Sequence, residues 1–169
     1  MNSIRAWLLD AGREQRIAVG VHELVEVLQD APVRYVPVAQ ERFRNALIWR
    51  DRVLPVLDLG GFGAKPGESA RLKAAILAFQ RVPNEPLQYG ALLLGDYPLS
   101  IQVDDSLAVS SPLETIGFAE WVTACFWWQE RPVWVVDPAR VFGFVAQAIG
   151  PANSAALGAV AEPGAMPAS

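Results

Sequence analysis

Among its 169 residues the chain has one histidine and one cysteine, so imidazole and thiol chemistry must rest on His22 and Cys125. His22 stands beside Glu23 and near Glu26, an arrangement that could pair a general base with a carboxylate. A histidine at the end of an apolar run is more often a surface or boundary residue, and that reading is preferred. Cys125 lies inside Ala124-Cys125-Phe126-Trp127-Trp128, where a thiol behaves as a small hydrophobe. No serine or cysteine has the strand-turn-helix surroundings of a nucleophile elbow. Zinc would have to be held almost wholly by carboxylates, a donor set it rarely takes.

The remaining acids read structurally. Asp104-Asp105 ends a strand or starts a turn. Asp58 and Asp137 each follow an apolar strand, where a carboxylate can accept backbone N–H groups as the ladder ends. A glycosidase pair needs a set carboxyl separation, which nothing in the spacing supplies. Gly60-Gly61-Phe62-Gly63 follows a strand, but no Lys-Ser/Thr pair or helix opens after it, as a phosphate loop requires. A small barrel enzyme using His22, Asp58, Asp104 or Asp137 is therefore disfavoured. No catalytic residue, metal or cofactor is expected.

Aromatic residues offer binding chemistry instead. Of six tryptophans, Trp121, Trp127, Trp128 and Trp134 surround one hairpin. Adjacent strand residues point to opposite faces, so Trp127 and Trp128 cannot both enter one core. One of them faces a second subdomain, a partner or solvent.

The elements that must carry these residues are mostly strands. Trp7–Asp10 and Arg16–Val21 flank a Gly-containing polar turn and read as a hairpin. His22–Asp30 fits a helical turn or a strand equally. Pro32 and Pro37 bracket Val33–Val36 as an edge-like extended piece. Ala46–Leu59 forms two apolar runs around Arg50-Asp51-Arg52, the pattern of a tight hairpin. Sliding the chain by 79 positions lays Trp49 on Trp128, Arg52 on Arg131, Val56 on Val135 and Asp58 on Asp137. Two similar β subdomains follow, since a solenoid needs three or more units. Leu72–Phe79, Tyr89–Leu94 and Leu99–Val103 add strands, Gly60–Ser69 reads as a flexible loop, and Pro138–Ile149 as a short helix. Residues 146–169, rich in Ala, Gly and Pro, read as a disordered tail after a domain spanning 3–145.

Composition limits the partners. Hydrophobic residues make up 52% and charged residues 19%, enough apolar surface for a core. A net charge of -4 without basic clusters argues against nucleic acid. Apolar runs are too short to span a bilayer, no signal peptide is evident, and a single cysteine suits a reducing cytoplasm.

Two segments resemble the CheW chemotaxis coupling-protein family: Trp7–Leu28, and Arg44–Leu59 with its ending Pro55-Val56-Leu57-Asp58-Leu59. Tyr89-Gly90-Ala91-Leu92-Leu93 and Val133–Phe142 are similar to the family's later strands and closing helix, extending the likeness over residues 3 to 145. The family's motif is Gly-x-x-Asn-Leu-Arg-Gly. Here Asn45 stands for the first Gly, Ile48 for Asn, Trp49 for Leu and Asp51 for the second Gly, while Arg50 is kept. Aspartate can enter the left-handed turn geometry that glycine takes more readily. The chain resembles a divergent member.

The resemblance implies an all-β fold of two five-stranded SH3-like barrels with a short C-terminal helix. It implies a non-enzymatic scaffold bridging the helical cytoplasmic tip of chemoreceptors to the regulatory domain of a CheA-type histidine kinase. Such a protein would be cytoplasmic and recruited to membrane-associated arrays, serving flagellar chemotaxis or type IV pilus twitching. Receptor contact would fall in a groove between the barrels, near Arg50 and Trp49, with Leu24 and Glu26 on the preceding segment. Trp127 and Trp128 are the candidates for kinase contact. An adaptor of the same fold that organises an array through another partner, without binding the receptor tip, is the alternative.

Overall fold

Three two-residue turns set the strand registers. Arg13-Glu14, Arg50-Asp51 and Gln129-Glu130 all have positive φ, between 48° and 63°. Consecutive left-handed residues match the twist of a β-hairpin. The computed structural model describes residues 2–37, 41–110 and 116–148. It contains ten strands: β1 (Ser3–Asp10), β2 (Arg16–Gly20), β3 (Leu24–Tyr35), β4 (Asn45–Trp49), β5 (Arg52–Leu57), β6 (Ser69–Phe79), β7 (Gln88–Leu93), β8 (Leu99–Asp104), β9 (Val122–Trp128) and β10 (Arg131–Val136). One helix, α1 (Pro138–Ala148), closes the described chain. Of the tail expected over residues 146–169, 146–148 still belong to α1 and the rest lies outside the described residues.

The strands form two five-membered units. The first is a closed barrel in the order β3-β4-β5-β7-β6. The second is a curled sheet in the order β8-β1-β2-β10-β9, whose open seam carries a single bridge, Ala108 to Phe126. The 79-residue repeat is thus real in three dimensions. Val56 pairs in parallel with Ala91, and Val135 in parallel with Ala18. The two units are interleaved along the chain: β1 and β2 are completed by β8, β9 and β10, while the closed barrel occupies the middle.

Alternation along the strands produces three apolar clusters. Leu47, Trp49, Leu54, Val56, Ile76 and Leu93 fill the closed barrel. Leu8, Ala18, Ile101, Phe126 and Val133 fill the second unit. The largest cluster lies between them, where Leu9, Ile17, Val19 and Trp134 of one unit meet Leu57, Leu77, Phe79 and Leu92 of the other. Cys125 is buried in this junction. Helix α1 roofs it. Pro138 occupies its first turn, Asp137 caps it by accepting Ala139 N–H at 2.9 Å, and fully buried Phe142 reaches inward. The Phe142 ring stacks on Phe79 with centroids 5.8 Å apart and meets Phe43 edge-on at 6.1 Å.

Two local expectations change. The ambiguous segment from His22 is a turn followed by strand from Leu24. Val33 is no edge residue, because it pairs with Leu47 on one side and Ala70 on the other. Pro32 is accommodated because it pairs only with Arg71 of β6, next to a register shift, and the β4 ladder begins one residue later.

The left-handed turns yield a stability expectation. A non-glycine residue in this region costs about 1–2 kcal/mol, least for Asp and Asn. Glu130→Gly should therefore raise stability by about 0.5–1 kcal/mol and Asp51→Gly by less, read as urea unfolding midpoints. Unchanged midpoints for both would show that the turns carry no strain.

Candidate functional site

Asp58 and Asp137 act as the repeat implies. Asp58 accepts Phe62 N–H at 3.0 Å and Gly63 N–H at 2.8 Å, and buried Asn45 accepts Ala64 N–H at 2.9 Å. The Gly60–Ser69 loop, flexible by composition, is therefore anchored at its start. Asp104 caps the turn at Asp105–Leu107; hydrogen bonds from the Ser106 hydroxyl and backbone hold its carboxyl below the usual range. His22 is exposed, and its neighbouring carboxylates are engaged elsewhere. His22, Asp58 and Asp137 lie on separate connections, and Asp104 ends β8. Among the described residues, no three of His, Cys, Asp and Glu gather where a metal could sit.

Glu23 closes the β2–β3 turn by accepting Gly20 N–H at 2.6 Å. Burial, and secondarily the nearby Asp137 charge, raises its pKa above the ordinary 4.5, although the Gly20 hydrogen bond opposes them. A raised carboxyl pKa means that ionisation is costlier in the folded chain. That cost is absent below 4.5 and grows as pH rises through the folded value. Glu23→Gln keeps an acceptor for Gly20 and removes the charge. Its Tm should exceed that of the parent at neutral pH, with the gap closing below 4.5. A gap independent of pH would contradict this.

Three of the four candidate receptor residues, Glu26, Trp49 and Arg50, meet at one corner of the closed barrel, while Leu24 packs against the cluster between the units. Leu24 and Glu26 lie on β3 on either side of a register shift: they face Leu77 and Ile76, adjacent residues of β6. Trp49 ends β4, and Arg50 begins the left-handed turn that follows. The Trp49 ring is buried against Tyr89, with centroids 4.9 Å apart, and its Nε1–H donates to Glu26 Oε2 at 2.8 Å. Arg50 lies over the indole at 4.3 Å and reaches the same oxygen at 3.4 Å. Its side chain is 66% exposed. Arg52 covers Tyr89 in the same way, at 5.1 Å.

Leu24 and Glu26 also line a furrow of about 350 Å³ between the two units. Trp7 of β1 forms the opposite wall, and Tyr97 and Pro98 of the β7–β8 connection close one end. Arg50 does not line the furrow itself but reaches one of its lining residues, Glu26. Trp7 and Tyr97 were missed as site residues in the sequence. Trp7 reads there only as a strand residue, and the 54% exposure of Tyr97 beside Lys73, whose Nζ sits 4.2 Å from the ring centroid, is evident only in three dimensions.

The two adjacent tryptophans separate. Trp128 packs against the core of the second unit, whereas Trp127 is 47% exposed on its outer side. Alternation required one of them to leave the core, and Trp127 is that one.

No protein-family model matches the sequence, and no curated protein matches it. Among solved structures, the chain is similar to the scaffolding protein TtCheW from Thermoanaerobacter tengcongensis. The TM-score is 0.57 at 16% identity, covering 80% of this chain and 90% of that one. The chain has the CheW-like fold. Within that fold, Arg50 stands at the tip of the β4–β5 hairpin and contacts Glu26, a residue of the furrow wall. Among the described residues no helix is long and apolar enough to cross a membrane.

Proposed function

We propose that this chain is a non-enzymatic coupling protein that joins the cytoplasmic tip of a chemoreceptor to a CheA-type histidine kinase. The observation that carries the reading is the CheW-like pair of β units with an exposed guanidinium in contact with Glu26, a residue lining the furrow between them. An apolar furrow suits a helical tip, which lays side chains from one face into it. Arg50 then meets carbonyls or carboxylates at the end of that helix, a task fitted to its planar fork of donors. Leu24 contributes apolar wall, Glu26 and Trp49 hold the arginine, and Trp127 is the exposed aromatic anchor for the kinase regulatory domain. In this role the protein works in the cytoplasm at membrane-associated arrays, in flagellar chemotaxis or pilus twitching.

Calorimetric titration of the chain against a receptor cytoplasmic fragment, and separately against the kinase regulatory domain, tests the reading. Saturable binding of both at micromolar concentration is expected. Binding of neither would overturn it, and binding of the kinase domain alone would favour an adaptor that ignores the receptor tip.

A further inference from the structure

The duplication provides an internal comparison for the Trp49 corner. Val56 and Val135 occupy the repeated position and pair with Ala91 and Ala18. Crossing the sheet from Ala91 leads to Ile76 and then Glu26; crossing from Ala18 leads to Leu8 and then Leu99. Leu99 therefore stands in the second unit where Glu26 stands in the closed barrel. Trp128 and Gln129 stand where Trp49 and Arg50 do. The Trp128 Nε1 is buried and has no hydrogen-bond partner among the described residues. Both units thus place a tryptophan beside a left-handed turn, Trp49 buried and Trp128 half-buried, but the carboxylate and guanidinium of this corner occur on one unit alone.

In that unit the ion pair is incomplete. A guanidinium facing a carboxylate usually closes to parallel bonds of about 2.7–2.9 Å. Arg50 makes one contact, at 3.4 Å, with an oxygen that already accepts the indole N–H at 2.8 Å. Stacking on the indole at 4.3 Å supports the guanidinium from below and leaves its side chain 66% exposed. Most of its five donors therefore remain available. Arg52, two residues on, offers a second stacked cation, with Asp51 between them at the turn.

We infer that Trp49 is a positioning residue of the partner site: its indole N–H holds Glu26 out of a full grip on Arg50, so that the guanidinium is kept ready for a carboxylate on a partner helix. This rests on the coupling reading above. The aromatic ring alone would fill the barrel end; the N–H is what divides Glu26 from Arg50.

Trp49→Phe keeps a ring and deletes the N–H. Glu26 should then take Arg50 with both oxygens, and the Kd for the receptor cytoplasmic fragment should rise about fivefold, equivalent to roughly 1 kcal/mol. Adding Glu26→Gln should lower the Kd again from the Trp49→Phe value, because a neutral amide holds a guanidinium weakly. A packing defect alone would not be repaired by that second change. Parental affinity in Trp49→Phe, or a double variant as weak as the single one, would overturn the inference. Nitrogen-detected NMR of the free protein gives a second readout. Arg50 Nη signals should be averaged by rotation in the parent and resolved in Trp49→Phe; identical spectra would overturn the inference. If the parent fails to bind the fragment, the coupling reading falls while this spectroscopic comparison still decides whether Trp49 positions Arg50.

Discussion

Phe142→Ala should lower unfolding free energy by about 3–5 kcal/mol, the largest effect expected of a single substitution in this chain. The ring is fully buried, lies against Phe79 and Phe43, and joins α1 to the cluster shared by both β units. It fits because residue 90 lacks a side chain. A Cβ there would sit 2.5 Å from the Phe142 ring. Gly90→Ala should accordingly cost about 1–3 kcal/mol by overpacking. The two sites are coupled, so Gly90→Ala combined with Phe142→Leu should lose less than the sum of the separate losses. Urea denaturation of the three variants measures this. Strict additivity would show that α1 is not held by this contact.

Arg50→Glu should weaken binding of the receptor cytoplasmic fragment at least about tenfold, or roughly 1.4 kcal/mol, while Tm changes little. The small thermal effect follows from exposure: an ion pair with side chains 66% and 38% exposed contributes little to folding. The binding effect follows from charge. The substituted carboxylate would face Glu26 and present a like charge to any acidic group on the partner helix. Titration of both proteins at two ionic strengths checks the point, since part of the difference should fade as salt screens it. Equal affinities would remove Arg50 from the interface.

The legible parts of this molecule are those settled by neighbours in sequence. Trp49–Arg52 and Trp128–Arg131 announce tight hairpins because a short polar stretch, Arg50-Asp51-Arg52 or Gln129-Glu130-Arg131, separates apolar runs, and the structure makes each a two-residue left-handed turn. Asp58 and Asp137 could be read as acceptors for the backbone because each follows a buried strand, and both are. The 79-residue offset exposed the duplication. What stayed hidden depends on partners far along the chain. Nothing near Val33 says that it has strands on both sides, and nothing near Ile17 says that Trp134 lies beside it in parallel. A groove between the units was expected from the resemblance alone, but its Trp7 and Tyr97 walls were hidden for the same reason, since they reach Leu24 only through the packing of the two units. The Trp49–Glu26 bond joins residues 23 positions apart, and no local pattern of hydrophobicity encodes it.

The interleaved strand order has a consequence for biosynthesis. The hairpin of β1 and β2 leaves the ribosome before the middle barrel, with Leu9, Ile17 and Val19 ready for burial, yet its neighbour β10 is translated after that barrel. In the interval the middle barrel can close by itself, while the early hairpin waits with an uncovered apolar face. Vectorial synthesis therefore leaves this hairpin as the stretch on which a nascent-chain chaperone has the most to shield.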